Sequence, residues 1–168
     1  KNKELYEQLD ELVKFPNPEL HCRVRSPLHE AALNGELKLV KDLLKAGANI
    51  NAQEDDFRRT PLHLAIENWY NDVVIYLIEA GADINAVDEA EETPLHYAVS
   101  EGNEDIVAIL IKAGAIVDIE DEYGCTPLDI SAKGSRGAYS LPIVKMLIEA
   151  NDNTSDATDV LREAIKNG

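Results

Sequence analysis

The chain has 168 residues, the size of a single domain, and 45% of them are hydrophobic, as in ordinary globular proteins. No apolar run approaches the roughly 18 residues that a membrane-spanning helix needs. The formal net charge of −16 opposes binding to nucleic acid or to an anionic membrane. It favours a partner protein that carries a basic patch.

The first predicted element is an amphipathic helix over residues 2–14, with Leu5, Leu9 and Leu12 on one face. Pro16 ends it, because proline cannot continue a helix. We interpret residues 1–20 as a capping helix and a linker. Contact with a flanking domain is the alternative.

Four related segments follow, each of which begins with Ser or Thr, then Pro and Leu. Their first residues are 34, 33 and 33 positions apart, and a fixed period in this range predicts a solenoid. The segments are Ser26–Ala31, Thr60–Ala65, Thr93–Ala98 and Thr126–Ser131.

Each segment predicts the start of a helix, because a hydroxyl can accept an unpaired backbone N–H and proline suits the first helical position. A second apolar helix follows, such as the one that carries Val74, Leu77 and Ile78. It is closed by Gly47, Gly81 or Gly114, the residue type that readily adopts the left-handed conformation. Neither helix can bury its apolar stripe alone, so successive pairs must stack.

This pattern closely resembles the ankyrin repeat family over about residues 22–155. The resemblance implies an all-α solenoid of helix–turn–helix pairs, joined by β-hairpin fingers and closed by helical caps. The predicted divisions of this single domain are a cap and linker at 1–20, repeats at about 22–54, 55–87, 88–120 and 121–155, and a second cap at 156–168.

The fourth repeat departs from the others. Its second helix comes four residues late, which predicts an insertion within residues 133–140. Asp129 replaces the motif histidine. Asn151 replaces the closing glycine and is expected to take the same left-handed conformation. Beyond it, Ala157, Val160 and Ile165 lie on one face of the predicted C-terminal helix.

The motif histidines are His29, His63 and His96. Equivalent residues of neighbouring repeats lie about 10 Å apart, whereas a zinc ion needs its ligands about 2 Å away. We therefore predict no metal and no cofactor. The resemblance implies instead that these histidines bind the turn backbone. No catalytic motif occurs, so we expect no enzymatic activity.

Cys22 and Cys125 stand about three repeats apart, which is too far for a disulfide. Two such cysteines favour a reducing compartment. We expect the chain to be cytoplasmic or nuclear, with delivery into a host cell as an effector as the alternative.

Asn85 follows a sequence that resembles the one modified by asparaginyl hydroxylases in ankyrin proteins, and Asn51 lies in a similar one. The alternative is that these side chains hydrogen-bond the neighbouring loops.

In the resembled family, partners dock on the finger tips and on the exposed face of the first helices. The residues at those positions predict a partner-binding face. They are Cys22, Arg23, Arg25, Leu33 and Asn34 in the first repeat; Asp56, Phe57, Arg59, Glu67, Asn68 and Trp69 in the second; Glu89, Ala90, Glu92, Ser100 and Glu101 in the third; and Glu122, Tyr123, Cys125 and Lys133 in the fourth.

Two features shape this predicted face. The usual finger glycine is replaced by Val24, Arg58 and Glu91, so reshaped turns are expected. Charge is graded, with arginines in the first finger and acids in the third and fourth, so one end should attract acidic groups and the other basic ones. Phe57, Trp69 and Tyr123, together with Arg59, are the predicted anchors.

The sequence thus predicts a monomeric, non-catalytic module that binds another protein. The alternatives are a structural spacer and a targeting or substrate-recruiting domain of a larger enzyme or secreted effector. The chain begins at Lys1 rather than Met, as a piece of a longer protein would.

Overall fold

The computed structural model describes residues 25–54, 56–133 and 140–151. Within them the chain forms eight helices and no strand. The predicted caps at 2–14 and 156–168 lie outside the described residues. The helices are α1 Pro27–Leu33, α2 Leu37–Lys45, α3 Pro61–Glu67, α4 Asn71–Glu79, α5 Pro94–Ser100, α6 Glu104–Lys112, α7 Pro127–Lys133 and α8 Leu141–Ala150.

The odd-numbered helices each begin at the proline of a repeated segment, as predicted. The residue before that proline is extended, for example Thr60 at φ −87° and ψ 166°, which suits both an N-cap and the position before a proline. In the last of these helices Asp129 makes the contact at the helix start that the histidine makes in the other repeats. Its Oδ2 accepts from the Thr126 backbone N–H at 2.9 Å and from its hydroxyl at 2.7 Å.

The helices form two layers, because each helix packs on its counterpart in the next repeat. The first layer is α1, α3, α5 and α7, and the second is α2, α4, α6 and α8. The core lies between them and includes Leu62, Leu77, Leu95 and Leu110, each no more than 1% exposed. Burying a leucine contributes roughly 2 kcal/mol, so stacking stabilises helices only seven to ten residues long.

The glycines that follow α2, α4 and α6 adopt left-handed conformations, with φ between 90° and 95°, as predicted. The same prediction for Asn151 is wrong. It is extended, with φ −92° and ψ 103°. Asparagine tolerates the left-handed region but does not require it, and the chain leaves α8 along an extended path.

The segments between repeats form tight turns rather than the expected β-hairpins. We call residues 54–59 finger two, 88–92 finger three and 121–125 finger four. In each finger the backbone N–H of the first residue donates to the carbonyl of the last residue, with N–O distances of 3.0–3.1 Å. The described residues contain no strand because each turn is too short to continue the pairing.

The spacing of 34 rather than 33 residues has its origin in finger two. This finger has six residues, whereas fingers three and four have five each. The fourth repeat is longer for another reason. Seven residues, 134–140, separate α7 from α8, whereas three join each earlier pair, so the four extra residues lie where the spacing predicted.

Candidate partner-binding face

The histidines connect each first-layer helix to the next finger. His63 Nδ1 accepts from the Thr60 N–H at 3.1 Å, so its Nε2 carries the proton and donates to the Glu92 carbonyl at 3.3 Å. His96 makes the same pair of contacts with Thr93 and Cys125. Burial lowers the pKa of His63 to about 4, which keeps the ring neutral. These contacts confirm the role that the resemblance implied.

The fingers form a continuous row, because each tip hydrogen-bonds to the next. The Glu89 N–H donates to the Phe57 carbonyl at 2.9 Å, and the Glu122 N–H donates to the Ala90 carbonyl at 2.9 Å. In fingers three and four an aspartate closes the turn internally. Asp88 Oδ1, for example, accepts from two backbone N–H groups at 2.9 Å. The row is therefore a fixed surface.

At Arg58 and Glu91 the backbone keeps the conformation of a glycine, so the expected reshaping does not occur at these two positions; Val24 lies outside the described residues. Arg58 and Glu91 adopt left-handed conformations, with φ 54° and 59°, close to the 71° of Gly124. A side chain in this conformation costs about 1–2 kcal/mol. The surrounding hydrogen bonds evidently outweigh that cost.

Finger two contains a buried carboxylate, Glu54, between two arginines. Its side chain is 0% exposed, accepts from Arg25 Nε at 2.7 Å and accepts a second bond from Arg59 Nε. Burial acts to raise the pKa of Glu54, but the hydrogen bonds from both arginines outweigh it and hold the pKa below its usual range. Arg59 also binds Glu67 at 2.8 Å.

This network corrects two expectations. Arg59 is only 8% exposed, so its guanidinium acts inside the repeat rather than on a partner. The positive end predicted for the finger row is also neutralised at Arg25, whose side chain is 12% exposed and paired with Glu54 and Glu30.

Three large aromatic side chains remain exposed on or beside this row. Phe57 is 41% exposed, Trp69 51% and Tyr123 80%. The Arg59 guanidinium stacks on the Phe57 ring at 5.0 Å. Trp69 lies at the end of α3 with φ 62°, where the corresponding Gly35 and Gly102 have φ 70° and 69°. An exposed tryptophan thus occupies a backbone position that suits glycine.

A recess lies between α3 and α5, beside finger three. It has a volume of about 130 Å³ and is lined by Glu67, Glu92, Tyr97, Ser100 and Glu101. The Trp69 indole N–H donates to Glu101 Oε2 at 3.3 Å, which brings the ring to its rim.

A family model described as ankyrin repeats (3 copies) matches residues 1–88 and 85–159. The chain belongs to the ankyrin repeat family. No curated protein matches it. Ankyrin repeats generally bind other proteins and are generally non-catalytic.

The predicted face residues differ in exposure. Cys22 and Arg23 lie outside the described residues, and Lys133 is the last residue of α7. Arg59 is buried. The exposed ones are Asn34, Asp56, Phe57, Asn68, Trp69, Glu89, Glu122 and Tyr123; the partly buried ones are Arg25, Leu33, Glu67, Ala90, Glu92, Ser100, Glu101 and Cys125.

Sequence reasoning missed Tyr97, although a signal existed. Tyr97 is aromatic where the other repeats have Glu30, Leu64 and Ile130. Its ring packs edge-on against His63 with centroids 5.1 Å apart, and its hydroxyl donates to Asp88 Oδ2 at 2.8 Å. Burial and this carboxylate raise the pKa of Tyr97, so the phenol stays protonated.

The two asparagines bridge neighbouring repeats. Asn51 Oδ1 accepts from the Asp83 N–H at 2.8 Å, and Asn85 Oδ1 accepts from the Ile116 N–H at 2.9 Å. These are the hydrogen bonds to neighbouring loops that the sequence offered as the alternative to hydroxylation. Hydroxylation of Asn51 or Asn85 stays a prediction, which a mass increase of one oxygen atom on the corresponding peptide of native protein would establish.

The described residues contain no group of three or more histidine, cysteine, aspartate or glutamate side chains that could hold a metal ion. Among the same residues, no helix is long and apolar enough to cross a membrane.

Proposed function

We propose that this protein is a non-catalytic scaffold that binds a protein partner through its fingers and the first-layer helices. The observation that carries the proposal is the exposure of Phe57, Trp69 and Tyr123 along the finger row. Aromatic side chains of this kind commonly contribute most to binding energy at interfaces. A row fixed by tip-to-tip hydrogen bonds also lowers the conformational entropy that binding costs.

The charge of this face favours a partner with a basic patch. Finger three carries Asp88, Glu89, Glu91 and Glu92, and the arginines Arg25 and Arg59 are engaged by Glu54. Complementary charge raises the association rate and makes it sensitive to salt. We further propose that the protein is intracellular and monomeric. Light scattering of the purified chain tests the oligomeric state.

The experiment is quantitative affinity capture from native lysate with four baits. They are the native chain, Phe57→Ala, Tyr123→Ala and the control Ile75→Ala, which removes a side chain 37% exposed on second-layer helix α4. We expect the finger variants to lose the specifically captured protein and the control to retain it. Equal capture by all four baits would show that the finger row is not the binding surface.

A further inference from the structure

The recess between α3 and α5 is concave, acidic and bordered by an aromatic ring. Three of its five lining residues are glutamates, contributed by α3, finger three and the turn after α5. A volume of about 130 Å³ is enough for a few water molecules of about 30 Å³ each, or for the end of one long side chain.

The electrostatics of the recess favour a cation. Glu67, Glu92 and Glu101 line one small space, and Asp88 accepts a hydrogen bond from the hydroxyl of Tyr97, another residue of the lining. Arg59 offsets part of this charge, because its guanidinium binds Glu67 as well as Glu54, so Glu92 and Glu101 contribute most of the attraction. Partly enclosed carboxylates attract a cation more strongly than carboxylates in open water, because the local dielectric constant is lower.

The walls favour an organic cation with an apolar stem. The half-exposed Trp69 ring stands at the rim, with its Nε1 3.3 Å from Glu101 Oε2, and the Tyr97 ring forms part of the lining. Methylene groups pack against such rings, and a cation over an aromatic face gains about 0.5–2 kcal/mol.

We infer that this recess receives a lysine side chain of the partner, an inference that rests on the proposed function. The lysine stem would lie along Trp69, and its three N–H donors would face the carboxylates of Glu67, Glu92 and Glu101. A compact ammonium with three donors suits three separate carboxylates, whereas a guanidinium prefers one carboxylate in a two-point contact.

The test uses N-acetyl-lysine amide as the probe and follows the indole N–H resonance of Trp69 by NMR. Trp69 is the chain's single tryptophan, so the signal needs no assignment. N-acetyl-norleucine amide, a similar stem without the ammonium, is the matched probe. We expect a saturable shift with the lysine probe and none with norleucine.

The variants Glu92→Gln and Glu101→Gln are each expected to weaken lysine binding roughly five- to tenfold, since each removes one charge-assisted contact. Glu79→Gln removes the same charge from an exposed site at the end of α4, in the other layer. It should change the affinity by less than about twofold, because salt screens distant charges.

Several outcomes would overturn the inference: no saturable shift with lysine, an equal response to norleucine, equal weakening by Glu79→Gln, or tighter binding of N-acetyl-arginine amide. The proposed function fails separately. If Phe57→Ala and Tyr123→Ala abolish partner capture while the lysine probe does not bind, the finger surface stands and the recess does not. If the probe binds but both variants capture the partner normally, the lysine recess is supported and the finger surface is not.

Discussion

Among the described residues, three occupy left-handed conformations although they carry side chains: Arg58, Trp69 and Glu91. Each stands where a sister repeat has glycine. Such strain persists only where the surrounding structure or the function compensates for it. At Trp69 the ring is half exposed and makes a single long hydrogen bond, so contacts within the fold offer little compensation. The strain there is consistent with selection for binding.

Replacing Trp69 with glycine should therefore stabilise the fold. Removing the strain of the left-handed conformation contributes about 1–2 kcal/mol, which is partly offset by the larger entropy that glycine loses on folding. We therefore expect the free energy of unfolding to rise by roughly 0.5–1 kcal/mol. Urea denaturation followed by circular dichroism measures it. The control is Trp69→Ala, which removes the ring but keeps the strained backbone and should show no gain. A less stable glycine variant would mean that the indole contacts outweigh the strain.

At the scale of the element, the finger turns depend on side chains from neighbouring segments. Glu54 joins Arg25, before α1, to Arg59, before α3. In the same way, the histidines join the start of one helix to the following finger. The turns are short and irregular, so these polar contacts hold them in place.

Glu54→Gln should be strongly destabilising. It removes the buried charge that Arg25 and Arg59 share and leaves them only the more exposed Glu30 and Glu67, and breaking a buried pair costs about 3–5 kcal/mol. Glu149→Gln breaks an exposed pair with Lys145, whose side chains are 65% and 76% exposed, and should cost less than about 0.5 kcal/mol. Chemical denaturation compares the two, and similar losses would contradict a structural role for the Glu54 network.

Acid should destabilise the repeats through the histidines. Burial lowers the folded pKa of His63 to about 4, below the 6.5 of a solvated histidine, so the unfolded chain binds more protons between these values. Stability is therefore fully present above pH 6.5 and falls as the pH drops towards 4, by about 3 kcal/mol for His63. Burial lowers the pKa of His29 and His96 as well, which adds to the loss.

The measurement is the free energy of unfolding by urea at a series of pH values. His63→Gln should be less stable at neutral pH but should show a shallower decline between pH 6.5 and 4. An unchanged slope in this variant would mean that another group takes up the protons.

At the scale of the whole molecule, charge opposes folding. A formal net charge of −16 confined to a short solenoid repels itself more when folded than when unfolded. Stacking of two helical layers must overcome this repulsion as well as the entropy of ordering the chain. The acidic finger face is therefore maintained at a cost in stability, which fits a surface kept for binding.

Raising the NaCl concentration from about 0.01 M to about 0.1 M should raise Tm, because the Debye length falls from about 30 Å to about 10 Å. We expect a gain of a few degrees, measured by thermal denaturation, with the same experiment on Glu54→Gln as a reference. Salt screens the buried Glu54 network very little, so the Tm of the native chain and that of Glu54→Gln should rise by similar amounts. A fall in Tm with salt would show that attractive surface pairs outweigh the net repulsion.

The sequence by itself determined the repeats and the starts of α1, α3, α5 and α7, because each depends on a local pattern recurring at a fixed period, and the resemblance to the ankyrin family implied the histidine contacts. It could not determine that Arg59 is buried, that the turns at Arg58 and Glu91 keep a glycine-like shape, or that Asn151 is extended. These outcomes depend on neighbours from other repeats, such as Glu54 and the adjoining fingers. The recess beside Trp69 likewise exists only because stacking brings residues 67, 92 and 101 together.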